Sequence, residues 1–135
     1  MLRLTSAAED LARLYSWLDA AAAEQGLPAT ILYGMHVALE EAVANVAKHA
    51  FPPGEYGDIA VTLRREPDAA LLEVEDRGRA FDATAAALPA RPASLLDAEP
   101  GGAGLGLIRH YCHDLRYERL DGRNRLTLCF RTPAA

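Results

Sequence analysis

The stretch from His36 to His49, HVALEEAVANVAKH, constrains the fold more than any other part of the chain. It contains no glycine or proline, and apolar residues recur through and beside it at spacings of three and four, which predicts an amphipathic helix with one face in a core. These residues are Met35, Leu39, Ala42, Val43, Val46 and Ala50. We predict that the helix begins at Pro28 and runs to about Ala50, where the sequence FPPG stops it because proline disfavours helical geometry.

Two polar residues of this helix, Glu41 and Asn45, stand apart from its solvated side. A spacing of four residues places them about 40° apart on the helix surface, with Asn45 close to the edge of the apolar stripe. One interpretation is an ordinary helix margin. The other is a carboxylate and an amide that project together toward a cleft beside the core. The helix alone does not decide between the two.

Size and charge limit the classes of function. A chain of 135 residues, half of them hydrophobic, fits one globular domain over residues 1–135. The net charge of -5 argues against a large nucleic-acid surface, which would need an excess of Lys and Arg. No apolar run approaches the ~20 residues that cross a bilayer, and the N-terminus lacks the apolar segment of a signal peptide. We therefore expect a cytoplasmic protein that contacts neither membrane nor nucleic acid directly.

The first half of the chain predicts a strand, two helices and a hairpin. Alternation at Leu2 and Leu4 indicates a short strand, and Ser6 is a candidate N-cap for a helix that ends at Gly26. Alternating segments at Asp58–Arg65 and Ala69–Asp76 predict an antiparallel pair of strands.

The second half predicts a long loop, a helix and another hairpin. Residues 83–102 are rich in alanine and proline, and the loop is either a surface linker or, as we favour, a lid over a site. A helix over 105–113 and strands over 115–120 and 125–131 follow, with Asp121-Gly122 as the turn. This order predicts an α+β two-layer sandwich, with a mixed, mostly antiparallel sheet of about five strands and helices on one face.

A second candidate site follows the first predicted hairpin, where the sequence reads EDRGRAFD. Asp76 at the end of a strand could accept a hydrogen bond from a ligand amino group, while Gly78 lets the backbone approach closely. The same Asp-x-Gly pattern also occurs in simple turns, so the pattern alone is weak.

The sequence GGAGLG at 101–106 leads into the third predicted helix. Glycines permit a tight loop whose N–H groups and helix dipole favour a phosphate. No Lys-Ser or Lys-Thr follows and no βαβ unit surrounds the run, so neither standard nucleotide fingerprint fits. A phosphate-binding loop of another fold and a flexible hinge without ligand remain as alternatives.

Together these segments resemble the ATP-binding domain of the GHKL superfamily, the Bergerat fold, and within it the single-domain anti-sigma-factor serine/threonine kinases. The E-A-V-x-N-x-x-x-H pattern of that family matches the chain from Glu41 to His49. Its D-x-G-x-x-F-D pattern matches residues 76–82, and its glycine loop matches Gly102, Gly104 and Gly106. The resemblance covers nearly the whole chain.

The resemblance implies a role for each matched residue. Glu41 would be the catalytic base and Asn45 would bind Mg²⁺ that bridges the phosphates of ATP. Asp76 would bind the adenine amino group, Gly78 would make room for the base, and Phe81 would be a further nucleotide contact. The remaining implied nucleotide contacts are Gly101, Gly102, Ala103, Gly104, Leu105, Gly106 and Thr127.

The resemblance also implies partners. The phosphate acceptor would be a STAS-domain anti-sigma-factor antagonist, a sigma factor would be sequestered, and the protein would be a homodimer. Ala80 replaces a second glycine of the family, and no basic residue adjoins the glycine loop, for which Arg91 or Arg109 could substitute. Two alternatives remain: a nucleotide-dependent binding module without phosphate transfer, and a detached histidine-kinase catalytic domain.

Overall fold

The computed structural model describes residues 1–84 and 102–132. These residues form five strands and four helices. In chain order the elements are β1 Leu2–Thr5, α1 Ala8–Leu11, α2 Arg13–Glu24, α3 Ala29–His49, β2 Asp58–Glu66, β3 Ala69–Asp76, α4 Gly102–Tyr111, β4 Asp114–Leu120 and β5 Arg123–Arg131. No helix in this part of the chain is long and apolar enough to span a bilayer.

One five-stranded sheet has the order β1-β2-β3-β5-β4. Every pairing is antiparallel, so the predicted α+β class is confirmed, whereas no parallel pair of the expected mixed sheet occurs among the described residues. β4 and β5 are joined through Asp121 and Gly122, whose φ values of 53° and 75° are both positive. This is the geometry of a type I′ turn, which matches the twist of the flanking strands.

The core lies between one face of the sheet and the helices. The stripe predicted for α3 is buried throughout, and Ile108 of α4 is fully buried beside it. Alternate strand residues complete the core from the sheet: Leu2, Leu4, Ile59, Val61, Leu63, Ala70, Leu72, Val74, Leu126, Leu128 and Phe130. The helices therefore cover one face of the sheet, as predicted.

The predicted ends of α3 are confirmed, and so is the end of the first helical segment, where α2 stops at Glu24 and Gly26 follows the cap with a positive φ of 64°. Pro28 and Ala50 flank α3 as its caps. The predicted cap at Ser6 is wrong, because the Ser6 hydroxyl accepts a hydrogen bond from the Gly57 N–H (3.0 Å) and the first helix is divided at Ala12 into α1 and α2. The loop predicted over 83–102 falls mostly outside the described residues.

Candidate functional site

Asp76 ends β3 on the face of the sheet that carries the core, and only 3% of it is exposed. Its Oδ1 accepts hydrogen bonds from the Gly78 N–H (2.8 Å) and from Nδ2 of Asn124 (2.9 Å). Burial raises the pKa of this carboxyl, and the two donors, together with the Arg119 charge, oppose the rise. Within the described residues Oδ2 receives no hydrogen bond, so this oxygen remains available to a ligand donor.

The turn after Asp76 packs directly against the end of α3. A Cβ atom on Gly78 would lie 2.3 Å from the carbonyl oxygen of Ala50, so only glycine fits between the two backbones. The Arg79 N–H donates to that same carbonyl (2.9 Å), and Nε of Arg79 donates to the carbonyl of His49 (2.6 Å). Gly78 is therefore required by the packing of the protein itself, in addition to any space it leaves for a base.

An aromatic pair extends this contact. The rings of His49 and Phe81 are stacked, with centroids 4.7 Å apart and planes inclined by 22°. Burial lowers the pKa of His49, and the charges of Lys48 and Arg79 lower it further, so the neutral ring is favoured. The last turn of α3 and the segment after β3 thus form one continuous surface.

Glu41 and Asn45 lie on α3, about two turns and one turn before that contact, respectively. Both are half-buried, and their spacing of four residues places them on neighbouring positions of the helix surface. Among residues 1–84 and 102–132 neither side chain has a hydrogen-bond or ion-pair partner. A carboxylate and an amide therefore remain available to a ligand on the stripe of the helix that continues to His49.

These residues can be tested for fit to Mg²⁺. No group of three or more His, Cys, Asp or Glu side chains in the described segments could enclose a metal ion. Mg²⁺ binds through few protein oxygens when phosphates and water supply its other ligands. The unpaired amide oxygen of Asn45 fits such a site.

The glycine run lies at the start of α4. The structure places Gly102, Ala103, Gly104 and Leu105 in the first turn, so the helix begins three residues earlier than predicted, and Gly101 lies outside the described residues. The first N–H groups of a helix have no partner within it and can face an anion. Gly106 is exposed, and a Cβ atom there would meet no other atom within 4 Å.

The guanidinium group of Arg109 is already engaged. Its Nη2 donates to the carbonyl of Thr84 (3.0 Å), which ties α4 to the end of the preceding described segment. Of the two basic residues considered for the terminal phosphate, Arg109 thus has a structural contact, and Arg91 lies outside the described residues.

Thr127 does not lie with the other candidates. It pairs in register with Glu73 and Arg116, whereas Asp76 pairs with Asn124. Because side chains alternate between the two faces of a strand, Thr127 points to the opposite face, where it lines a surface cleft of about 430 Å³. The structure thus places Thr127 and Asp76 on opposite faces of the sheet.

Asn124 is the residue that the sequence analysis missed. It is 3% exposed, and besides contacting Asp76 its Nδ2 donates to the Arg79 carbonyl (2.8 Å). Its Oδ1 accepts from the Tyr117 hydroxyl and from Nη1 of Arg119 (2.9 Å). The signal was present in part, since alternation with the apolar Leu126 and Leu128 assigns Asn124 to the core face of its strand, the face on which alternation also places Asp76.

Comparisons with known proteins agree with this arrangement. A family model described as the histidine kinase-like ATPase domain matches residues 4–130. The chain is 41% identical over 112 residues to the serine/threonine-protein kinase BtrW of Bordetella bronchiseptica. The matched region covers 83% of this chain and 79% of that protein.

Solved structures show the same fold at lower identity. The structure of the RsbU and RsbW domains of Rv1364c from Mycobacterium tuberculosis matches with a TM-score of 0.61 and 18% identity, over 99% of this chain. This chain spans 34% of that longer chain. The mycobacterial sensor histidine kinase MprB matches with a TM-score of 0.53 and 22% identity, over 77% of this chain and 76% of that one.

Proposed function

The chain belongs to the histidine kinase-like ATPase domain family, as a protein serine/threonine kinase of the anti-sigma-factor type, and we propose that its phosphate acceptor is a STAS-domain anti-sigma-factor antagonist. We further propose that it sequesters a sigma factor, acts as a homodimer and works in the cytoplasm. One observation supports the site above all others: the Gly78 turn is packed on the end of α3, the same helix that carries Glu41 and Asn45, whose side chains have no polar partner among residues 1–84 and 102–132.

Nucleotide binding follows from the polar atoms that the fold leaves unpaired. Oδ2 of Asp76 accepts a hydrogen bond from the exocyclic amine of adenine, because Oδ1 is occupied by two donors from the protein. The stacked rings of His49 and Phe81 supply an apolar wall beside that carboxyl. The N–H groups at the start of α4, over Gly102 to Gly106, bind the phosphates.

Phosphate transfer requires positioned groups and charge neutralisation more than covalent chemistry from the protein. The amide oxygen of Asn45 would hold Mg²⁺, which would neutralise phosphate charge. The carboxylate of Glu41 accepts the proton of the serine or threonine hydroxyl while that oxygen bonds to the terminal phosphorus. The bond from phosphorus to the bridging oxygen breaks, and ADP leaves with the electron pair.

Radiolabelled ATP tests the proposal. The chain is incubated with γ-labelled ATP, Mg²⁺ and each purified STAS-domain protein of the source organism, and the labelled amino acid is identified. We expect label on serine or threonine of one such protein, and loss of labelling in Glu41→Ala. Glu40→Ala is the matched control, because Glu40 is the neighbouring carboxylate on the exposed side of α3.

The other outcomes separate the alternatives. Tight ATP binding with no label on any STAS-domain protein would contradict the kinase proposal for these acceptors and favour a nucleotide-dependent binding module. Acid-labile label on histidine would instead favour a histidine-kinase catalytic domain.

A further inference from the structure

The hydrogen-bond network around Asn124 determines which end of its amide faces Asp76. Three donors converge on Oδ1: the Tyr117 hydroxyl, Nη1 of Arg119 and the Phe81 N–H (3.4 Å). The other end of the amide faces two acceptors, Oδ1 of Asp76 and a backbone carbonyl.

The reverse orientation would be penalised on both sides. An inverted amide would set its oxygen against the two acceptors and its NH₂ group against the guanidinium of Arg119, which can only donate. The donors from β4 and from the segment after β3 therefore hold Nδ2 of Asn124 toward Asp76.

We propose that Asn124 is a positioning residue that sets base specificity: by donating to Oδ1 of Asp76, it leaves Oδ2 as the oxygen of this carboxyl that has no donor among the described residues, and keeps it an acceptor. This inference rests on the proposed nucleotide site and assigns it a selectivity. An acceptor at this position pairs with the 6-amino group of adenine and opposes the 6-carbonyl group of hypoxanthine. Arg119 acts through Asn124, because its guanidinium donates to Oδ1 of that amide. It also donates to the Gly78 carbonyl (3.1 Å), which holds the turn that carries the site.

The probe pair is ATP and ITP, whose bases differ at position 6 and in the proton on N1. Dissociation constants are measured by titration calorimetry with Mg²⁺ on the wild-type chain and on variants shown by circular dichroism to be folded. We expect the wild type to bind ATP about tenfold or more tightly than ITP, the size of effect that one hydrogen bond to a charged group produces.

Asn124→Asp is the principal variant, because aspartate has the shape of asparagine. In this variant two carboxyl groups lie at hydrogen-bond distance from each other (2.9 Å between the corresponding atoms of Asn124 and Asp76) and share a proton. That proton allows Asp76 to donate to a 6-carbonyl group. We expect the preference for ATP over ITP to fall by about tenfold.

Arg119→Met is the second variant, and it serves where Asn124→Asp does not fold, since Arg119 is exposed. We expect it to lower the preference by about threefold, as for one of several donors to the amide. Arg116→Met is the matched control: Arg116 lies on the same strand, points to the opposite face and should leave the preference unchanged.

The result separates this inference from the function on which it rests. If the wild type binds ATP and the folded variants keep its preference within about twofold, the role of Asn124 is overturned while nucleotide binding stands. If the wild type binds neither ATP nor ITP, the proposed nucleotide site itself fails.

Discussion

The contact between Gly78 and Ala50 makes a sharp prediction about stability. In Gly78→Ala the new Cβ atom would lie 2.3 Å from the Ala50 carbonyl oxygen and 2.8 Å from the Ala50 Cβ atom. The first of these is a backbone atom that accepts the Arg79 N–H, so it cannot move without loss of a hydrogen bond. The turn must therefore separate from the end of α3.

The cost has two parts. Overpacking in a tight contact costs about 1–3 kcal/mol, and loss of one hydrogen bond adds about 1 kcal/mol. Since unfolding a domain of this size has an entropy near 0.28 kcal/mol per degree, a loss of roughly 2–4 kcal/mol lowers Tm by roughly 7–14 °C. We expect this decrease in a thermal melt followed by circular dichroism, together with a lower urea midpoint.

Gly106→Ala is the matched control for stability, because a Cβ atom there meets nothing within 4 Å. In a helix interior, alanine is more stable than glycine by roughly 0.5–1 kcal/mol, so Tm should rise. If Gly78→Ala melted within about 2 °C of the wild type, the contact would not resist separation and the reasoning would be refuted.

Three further predictions concern the same surface. Asp76→Asn should abolish ATP binding in calorimetry yet stabilise the fold. Because the pKa of Asp76 is raised in the folded state, the free energy of unfolding of the wild type falls as pH rises from the ordinary pKa of a carboxyl group through the raised pKa. This decline should be absent when the variant is titrated with urea at several pH values. His49→Phe should keep the stack on Phe81 and remove the loss of stability that begins below about pH 6.5, because the lowered pKa of His49 disfavours the protonated ring in the folded state. Asn45→Ala should weaken ATP binding in the presence of Mg²⁺ by about tenfold or more, while Tm in the absence of nucleotide should stay unchanged. An equal loss of ATP affinity with and without Mg²⁺ would contradict a metal-binding role.

Local patterns predicted most of the fold because several independent signals agreed. The bounds of α3 follow from its apolar period and from the prolines that flank it, and both strands of the Asp121-Gly122 hairpin follow from alternation and turn chemistry. The division of the first helix at Ala12 had no comparable signal. There Asp10 accepts hydrogen bonds from the Thr5 N–H (2.7 Å) and hydroxyl (2.9 Å), while Ser6 pairs with Gly57. A contact over 51 residues cannot be read from local spacing.

The site was predictable to the extent that its residues follow from motifs. The Asp-x-Gly pattern identified Asp76 and Gly78 and indicated space for a base at the glycine, whereas the approach of Ala50 depends on how α3 crosses the sheet. Thr127 was selected by motif position alone. Strand alternation counted from Gly122 would have excluded it and identified Asn124 instead.

The residues of the site divide into two groups with different physical consequences. Gly78, Arg79 and Phe81 already make contacts within the protein, so their replacement must cost stability before any ligand is considered. Glu41 and Asn45 form no side-chain hydrogen bond or ion pair among the described residues, so their replacement should chiefly change ligand binding or transfer. A ligand that binds only the folded state raises Tm by mass action. The first group should therefore lower Tm with and without ATP, and the second should lower only the increment that ATP adds.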